Sequence, residues 1–571
     1  MQRQLTSHSN LDTLRKQAKS WLKSLRAGDP RARERLQHAW PGAPREPGLR
    51  DIQHALAREY GYTGWVALKD ALAELVFAGK TLDEQAAEFL ELACLHYGIR
   101  PGTTEWDRSY ADHPSRWSQA ARLLARHPAI RSHGIHTAAV CGDLAEVRRI
   151  LSERPSAAVE PGGRERWEPL VHVCYGRLPS EETRENAIAI AQALIDAGAA
   201  ATVRMDKGDP GFFALTGAIG GGEFAQPPHP RAHELAALLI ERGADPHDAQ
   251  ALYDTSLGDD DTDWLDFLYE RSALRGEADR WSAHSSTWPQ TGILDYLLGN
   301  AVNANQLARA AWLLAHAADA RSRNFYTGRP HHAEALLRGH AEMAELLVRH
   351  GAEVQPLDDR EAFLAACMRT DAATARRLAH ANPSFLDDPT ALIEAAQQGR
   401  IDVAAFLLDL GMSPDVRRED HFCPLHAAAG AGAADVAQFL LDHGAEVDPV
   451  ETRFGGVPLG WALHGGHAGT IMLLGKLSRS ARDLVEMGNL DRLRELFDSQ
   501  PQLARKVDGD GSLFVHLPDD EDLAMEIAEF LLAYGADPAA RDKHGRDAIE
   551  TLDKRGYPDL AEALRLRVRG D

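Results

Sequence analysis

Histidine is the residue type that most invites a chemical reading, because the chain carries 26 of them and a neutral imidazole is both a general base and a metal ligand. The zinc-protease pattern sets two histidines one helical turn apart, with a glutamate after the first. His233-Glu234 opens that pattern, but Ala237 stands where the second ligand belongs, so no such site forms. His229 and His233 are also ligand-spaced, yet Pro230 lies between them in a proline-rich insertion. His172, His332 and His426 sit beside turns that open helices, and His340 and His467 follow a helix-bounding glycine. Structural hydrogen bonding is the role expected of all five.

Other reactive arrangements fail on context. Gly79-Lys80-Thr81 ends like a phosphate loop, but Glu74 occupies the place of its first glycine and a helix precedes it where a strand is needed. Gly217 to Gly222 is glycine-rich without the strand-turn-helix setting of a dinucleotide site. No Gly-x-Ser-x-Gly elbow occurs, and His464-Gly-Gly-His467 reads as an ordinary helix end. Cys94, Cys141, Cys174, Cys367 and Cys423 contain no CxxC pair, so reduced, packed thiols are expected. Asp259 to Asp261 with Asp263, and Asp519 to Asp522, read as solvated helix starts, where carboxylates are favourable. The sequence therefore predicts no catalytic, cofactor-binding or metal-binding residues.

Composition narrows the classes further. The 571 residues hold 63 Lys+Arg against 85 Asp+Glu, a formal charge of −22, which argues against a nucleic-acid binder that works by neutralising phosphates. Residues 1–60 run the other way, with 12 Lys+Arg and 6 Asp+Glu. No apolar run reaches the roughly 18 residues of a membrane span, and the start is too charged for a secretory signal. A cytoplasmic location follows as the expectation.

The elements that position these residues recur with a period. Gly339 to Gly351, Gly399 to Gly411 and Gly432 to Gly444 each enclose apolar residues at the fourth, seventh and eighth places: Met343, Leu346 and Leu347; Val403, Phe406 and Leu407; Val436, Phe439 and Leu440. That spacing is one stripe of a helix, closed by glycines suited to left-handed backbone. Seven residues ahead of each opening glycine, or of its substitute, runs an apolar column: Ile135, Leu170, Leu215, Leu252, Leu298, Phe363, Leu392, Leu425, Leu459, Leu513 and Ile549. Small residues follow in many copies, as in Ala138-Ala139, Ala395-Ala396 and Ala428-Ala429, and they allow close approach of a neighbouring unit.

With Cys423-Pro424-Leu425-His426-Ala427-Ala428 and the closing Gly243-Ala244-Asp245-Pro246 and Gly535-Ala536-Asp537-Pro538, the sequence resembles the ankyrin repeat family. The resemblance implies an all-α solenoid of helix-turn-helix units with short β-hairpin turns, about 13 of them after residue 133. Leu56 to Lys69 resembles the helical leader of bacterial ankyrin arrays, which together with the Ala- and Arg-rich composition points to a bacterial protein. Helices are expected at 11–26, 49–60, 64–78 and 82–97, with Asp29-Pro30 and Pro41 to Pro47 as breakers. The domains expected are a leader or cap at 1–81, a degenerate capping repeat at 82–133, repeats with insertions at 134–275, a spacer at 276–292 holding Trp281 and Trp288, and repeats to the end at 293–571.

In such an array the residues just before the bounding glycine face the groove, and the turns project as fingers. Those places hold Tyr175, Leu337, Arg338, Met368, Arg369, Gln397, Gln398, His464, Lys554 and Arg555. The turn Asn324-Phe325-Tyr326-Thr327-Gly328-Arg329 joins two aromatics to arginine, types enriched in binding hot spots. Packing of Phe325 and Tyr326 on a neighbouring finger is the competing reading. The function expected is a non-enzymatic, monomeric scaffold for a protein partner, with acidity favouring a basic one. The rivals are an enzyme with a hydrolase or transferase site hidden in the N-terminal region or an insertion, and a structural spacer.

Overall fold

Glycines and small side chains dictate a chain of short helices, and the computed structural model is mostly helical. It describes residues 3–6, 9–98, 112–205, 212–222, 225–283, 290–508, 511–518, 521–554 and 557–568. The plainest units pair Thr390–Gln397 with Ile401–Asp409, Pro424–Gly430 with Ala434–Asp442, and Pro458–Gly465 with Ala468–Leu477. Ala395, Ala396, Ala428 and Ala429 are fully buried on the first helices, which pack one on the next. Val403, Leu407, Val436 and Leu440 seal the second helices from beneath. Gly432 has φ +73, and a Cβ there would come within 2.7 Å of the His467 ring, so glycine alone fits.

The histidines that open and close the units tie one to the next. His467 Nε2 lies 2.9 Å from Gly430 O. His426 Nδ1 accepts the Cys423 backbone N–H at 3.2 Å, and its Nε2 lies 3.3 Å from Gly456 O. Burial holds the His426 imidazole below its usual pKa, so it stays neutral as a hydrogen-bonding staple.

The chain divides into two units, the first comprising residues 1–73, 337–339 and 357–571, and the second residues 74–336 and 340–356. The first holds two apolar clusters, one from Phe363 to Leu564 and one from Leu14 to Leu72. Its N-terminal cluster contains a helix at Pro30–Ala39, where Asp29-Pro30 was expected to break the chain. The Asp29 carboxylate accepts the Arg31 N–H at 2.9 Å and Pro30 takes the first helical position, so the dipeptide starts a helix. Toward the other end, Leu513 begins a 3-10 turn, Leu513–His516, in place of an inner helix. It follows the short antiparallel pair Val507–Asp508 and Gly511–Ser512, and Pro518 pushes Leu517 into extended backbone.

In the second unit, Ile135–Val140, Pro169–Tyr175, Ala214–Ile219, Ala249–Thr255 and Ile293–Asn303 pack in sequence. The helix expected to reach residue 97 stops at Ala93. Beyond it the Leu95 N–H donates to Tyr175 O at 2.9 Å, and the Arg177 N–H donates to Ala93 O at 2.8 Å. Buried Arg177 donates to the carbonyls of Pro227, Cys174, Gly176 and Gly217, which anchors the proline-rich insertion. Gly217 is small because the Tyr175 ring covers it: a Cβ would lie 2.2 Å from that ring. Within 276–292, Trp281 ends a 3-10 turn and is fully buried, while Trp288 lies outside the described residues.

Truncating Leu407 or Leu440 to Ala should cost about 2–5 kcal/mol by loss of buried surface and a residual cavity. Chemical denaturation measures this, with the exposed Gln438→Ala, expected within about 0.5 kcal/mol of the parent, as control.

Candidate partner-docking surface

The turn at 324–329 is ordered from inside. The Asn324 side chain is buried, donates to Asn303 Oδ1 at 2.9 Å and accepts the backbone N–H groups of Tyr326 and Thr327. The Asn324 N–H donates to Arg329 O at 2.8 Å, and Gly328, at φ +68, donates back to Asn324 O. On this rigid loop Phe325 is 46% and Tyr326 61% exposed. Both touch Tyr296, edge-on for Phe325 at 5.4 Å between ring centres, and through a hydroxyl contact of 2.5 Å for Tyr326. The aromatics thus pack on a neighbour and still present open faces. Arg329 stands half exposed beside them, 3.9 Å from Glu334.

A second patch of the same composition, in the other unit, escaped sequence reasoning. Buried Glu451 accepts the backbone N–H groups of Arg453, Phe454 and Gly456, which orders its loop and offsets the cost of burying the carboxylate. Phe454 is 65% exposed, lies under the Arg453 guanidinium and meets the edge of Trp461, which itself meets Phe422. The signal available was Arg453-Phe454-Gly455, which repeats the aromatic, arginine and glycine content of the 324–329 turn.

The predicted groove residues divide by chemistry. Arg369, Gln397 and His464 are exposed. Arg338 pairs with Glu394 at 2.9 Å, and Gln398 Nε2 donates both to Glu394 at 2.8 Å and to Arg338 O, so two of these residues meet at Glu394. Tyr175, Leu337 and Met368 are buried and cannot serve as docking surface. Their apolar bulk turns inward at the helix end, and the Tyr175 hydroxyl is spent on Phe213 O at 2.9 Å. Lys554 ends the helix Ala548–Lys554, and Arg555 lies outside the described residues.

Among the described residues, the nearest approach to a catalytic set is one no motif announced. His247 Nδ1 lies 2.9 Å from Asp245 Oδ1, and its Nε2 lies 2.8 Å from Ser272 Oγ. That is the order of a nucleophile, base and orienting carboxylate. Ser272 is fully buried, however, and its Oγ already accepts the Trp281 indole N–H at 3.1 Å. His247 Nε2 is also 3.1 Å from Glu277 O. The group locks the Asp245 turn onto the helix Asp263–Leu274 and leaves no approach to Ser272 Oγ.

Asp245, His247 and Glu277 are also, among the described residues, the one group with metal-ligand spacing. Arg280 binds Asp245 at 2.8 Å and Arg275 binds Glu277 at 3.4 Å, so the charge a cation would supply is already present. Burial works against ionising Asp245, but hydrogen bonds from His247 and Arg280 outweigh it and hold the carboxyl well below the usual range. His229 and His233 part company: His229 is buried and caps Arg231 N, whereas His233 stacks on Trp264 and pairs with Asp263. Asp260 is exposed, as a solvated acidic turn is expected to be, and it also accepts the backbone N–H groups of Ala308 and Arg309, capping a helix distant in sequence. All five cysteines are free and buried.

Among the described residues, one buried carboxyl has no neighbouring hydrogen-bond donor at either oxygen. Both oxygens of Glu165, at the tip of the hairpin closed by Gly162 and Trp167, lack a hydrogen-bond donor, and Nε2 of buried His172 lacks one too. Burial, with a smaller contribution from Glu91, raises the Glu165 pKa to about 7 against the weaker pull of its own backbone N–H, then of Arg164 and Arg116. Its nearest ring, His96 at 3.9 Å, is held neutral by burial, its pKa lowered to about 3.

Against this geometry, the family described as ankyrin repeats (3 copies) matches residues 363–451, from the Phe363 helix to the Glu451 loop. No curated protein matches the chain. Among the described residues no helix is long and apolar enough to cross a membrane.

Glu165 generates a pH prediction. A carboxyl whose folded pKa is raised contributes stability that is present below about pH 4.5 and lost as pH rises through about 7. Histidines with lowered pKa act in the opposite sense, so the readout is a difference. The stability of the parent minus that of Glu165→Gln should fall by on the order of 2–3 kcal/mol between pH 5 and 8. A flat difference would refute the raised pKa.

Proposed function

We propose that the chain is a non-enzymatic docking scaffold whose ankyrin stack runs from about residue 134 to the C-terminus, behind a leader at 1–81 and a degenerate repeat at 82–133, with 276–292 joining two runs of repeats. Ankyrin repeats generally mediate protein–protein interaction, and a stack of such units offers a preformed surface that binds with little reorganisation. The partner is a protein, and it docks on Phe325, Tyr326 and Arg329 of the second unit; the exposed Arg369, Gln397 and His464 are candidate contacts of the first unit in their own right.

The observation that carries this reading is the loop at 324–329. Its backbone is fixed by buried Asn324, yet it holds two large aromatic faces in solvent. Rigid aromatics of that kind lose little entropy on binding and dominate interface energetics. The formal charge of −22 favours a basic partner, reached by electrostatic steering and bound less tightly as salt rises. The reading places the protein in the cytoplasm as a monomer.

The test begins with a partner recovered by crosslinking from the native cell. Phe325→Ala with Tyr326→Ala should weaken that complex by at least about 2 kcal/mol, roughly thirtyfold, in isothermal titration. The thermal midpoint should stay within about 3 °C, because both side chains are largely exposed. Undiminished affinity in the double variant would remove the finger from the interface.

A further inference from the structure

The N-terminal helices do not stand apart from the C-terminal ones; Leu11–Arg26 carries five Lys+Arg against one Asp, and Glu521–Ala533 carries four Asp+Glu and no Lys+Arg. Within the first unit, Leu11–Arg26 and the start of Leu49–Glu59 lie against Glu521–Ala533 and Pro558–Val568. Lys19 Nζ is 3.4 Å from Glu562 Oε1, and Arg50 Nη1 is 3.4 Å from Glu526 Oε2. Between the two ion pairs, Leu22 and Leu49 face Met525, Leu532, Leu560 and Leu564 across a narrow apolar gap. Gly48 lets the chain in close: a Cβ there would come within 2.7 Å of Glu529 Oε1.

This seam is thin. The apolar residues of 14–72 and of 363–564 form separate clusters, so no continuous core crosses it. Arg50 and Glu526 are 43% and 51% exposed, and ion pairs so wetted contribute little each and are screened by salt. The Lys19–Glu562 pair is better sheltered, at 23% and 25% exposure, but an element joined by a narrow apolar contact and surface ion pairs opens more often than the unit unfolds. Opening would uncover a face whose apolar stripe is flanked by Glu526, Glu529 and Glu562.

We propose that the helices Leu11–Arg26 and Leu49–Glu59 are a detachable clasp on the helices Glu521–Ala533 and Pro558–Val568, and that the released face binds a basic amphipathic helix. The chain's own first helix displays the chemistry selected: Leu22 faces the apolar stripe while Lys19 meets the glutamates and Arg26 lines the gap. A competing helix needs an apolar residue with basic residues in the adjacent turns, the helix-in-groove mode. The inference does not depend on the finger at 324–329, so either can fail alone.

The test uses the full chain and reads hydrogen exchange at 525–532 and 560–564, with a labelled peptide of residues 11–26 as probe. In the Lys19→Glu, Arg50→Glu variant, exchange at both segments should quicken about tenfold, and the peptide should bind about tenfold more tightly than to the parent, whose face is covered. Adding Glu526→Arg and Glu562→Arg should restore slow exchange. Raising NaCl to about 0.5 M should quicken exchange in the parent, a readout that needs no variant to fold. Unchanged exchange in both the variant and high salt, quickened exchange that the reciprocal charges do not restore, or a peptide that binds parent and variant alike, would each overturn the proposal.

Discussion

Close approach of consecutive first helices is the constraint on which the units of this protein depend. Two helices can lie that near only where side chains are small, and Ala395, Ala396, Ala428 and Ala429 supply that at no exposure. Once the first helices touch, each second helix has one open side and one buried side, which fixes Val403, Leu407, Val436 and Leu440 inward. The turns between units are then left at the surface, where Phe325, Tyr326 and Phe454 pack on a neighbour and keep part of each ring in solvent.

Most polar groups that look reactive serve that same packing. His426 and His467 reach the backbone carbonyls of Gly456 and Gly430. Arg177 is spent on four carbonyls and Glu451 on three N–H groups. Even Asp245, His247 and Ser272, whose distances suit a hydrolase, are closed in by Trp281 and Glu277. A triad is defined by access as much as by distance, and here Ser272 has none. Glu165 and His172 are among the exceptions, a buried carboxyl and a buried imidazole nitrogen left without a neighbouring partner.

Legibility in the sequence followed locality. The apolar column and bounding glycines fell in phase because both are dictated within one unit, and residues from Ile135 to Leu459 in that column are buried as the period requires. Readings failed where a residue's partner is distant in sequence. Asp260 caps a helix nearly fifty residues away, and Leu95 binds the backbone of Tyr175. One omission was local: Asp29-Pro30, read as a breaker, does end the stretch after Leu11–Arg26 but also starts the helix Pro30–Ala39. For the surface, position before a glycine predicted exposure for polar Arg369, Gln397 and His464 but not for Tyr175, Leu337 and Met368, whose apolar surface the neighbouring helices take up. The Arg453 and Phe454 patch was missed because a single aromatic carries less signal than a pair.

If small inner residues hold the units together, overpacking one of them should act only on its neighbours. Ala428→Leu places a larger side chain between the helices Thr390–Gln397 and Pro458–Gly465, and residue-resolved hydrogen exchange reads the result. Protection should fall by about 1–3 kcal/mol in those two flanking pairs, while the helices from Ile135 to Thr255 keep theirs. Uniform loss across the whole chain, or no loss at the flanking helices, would contradict the account.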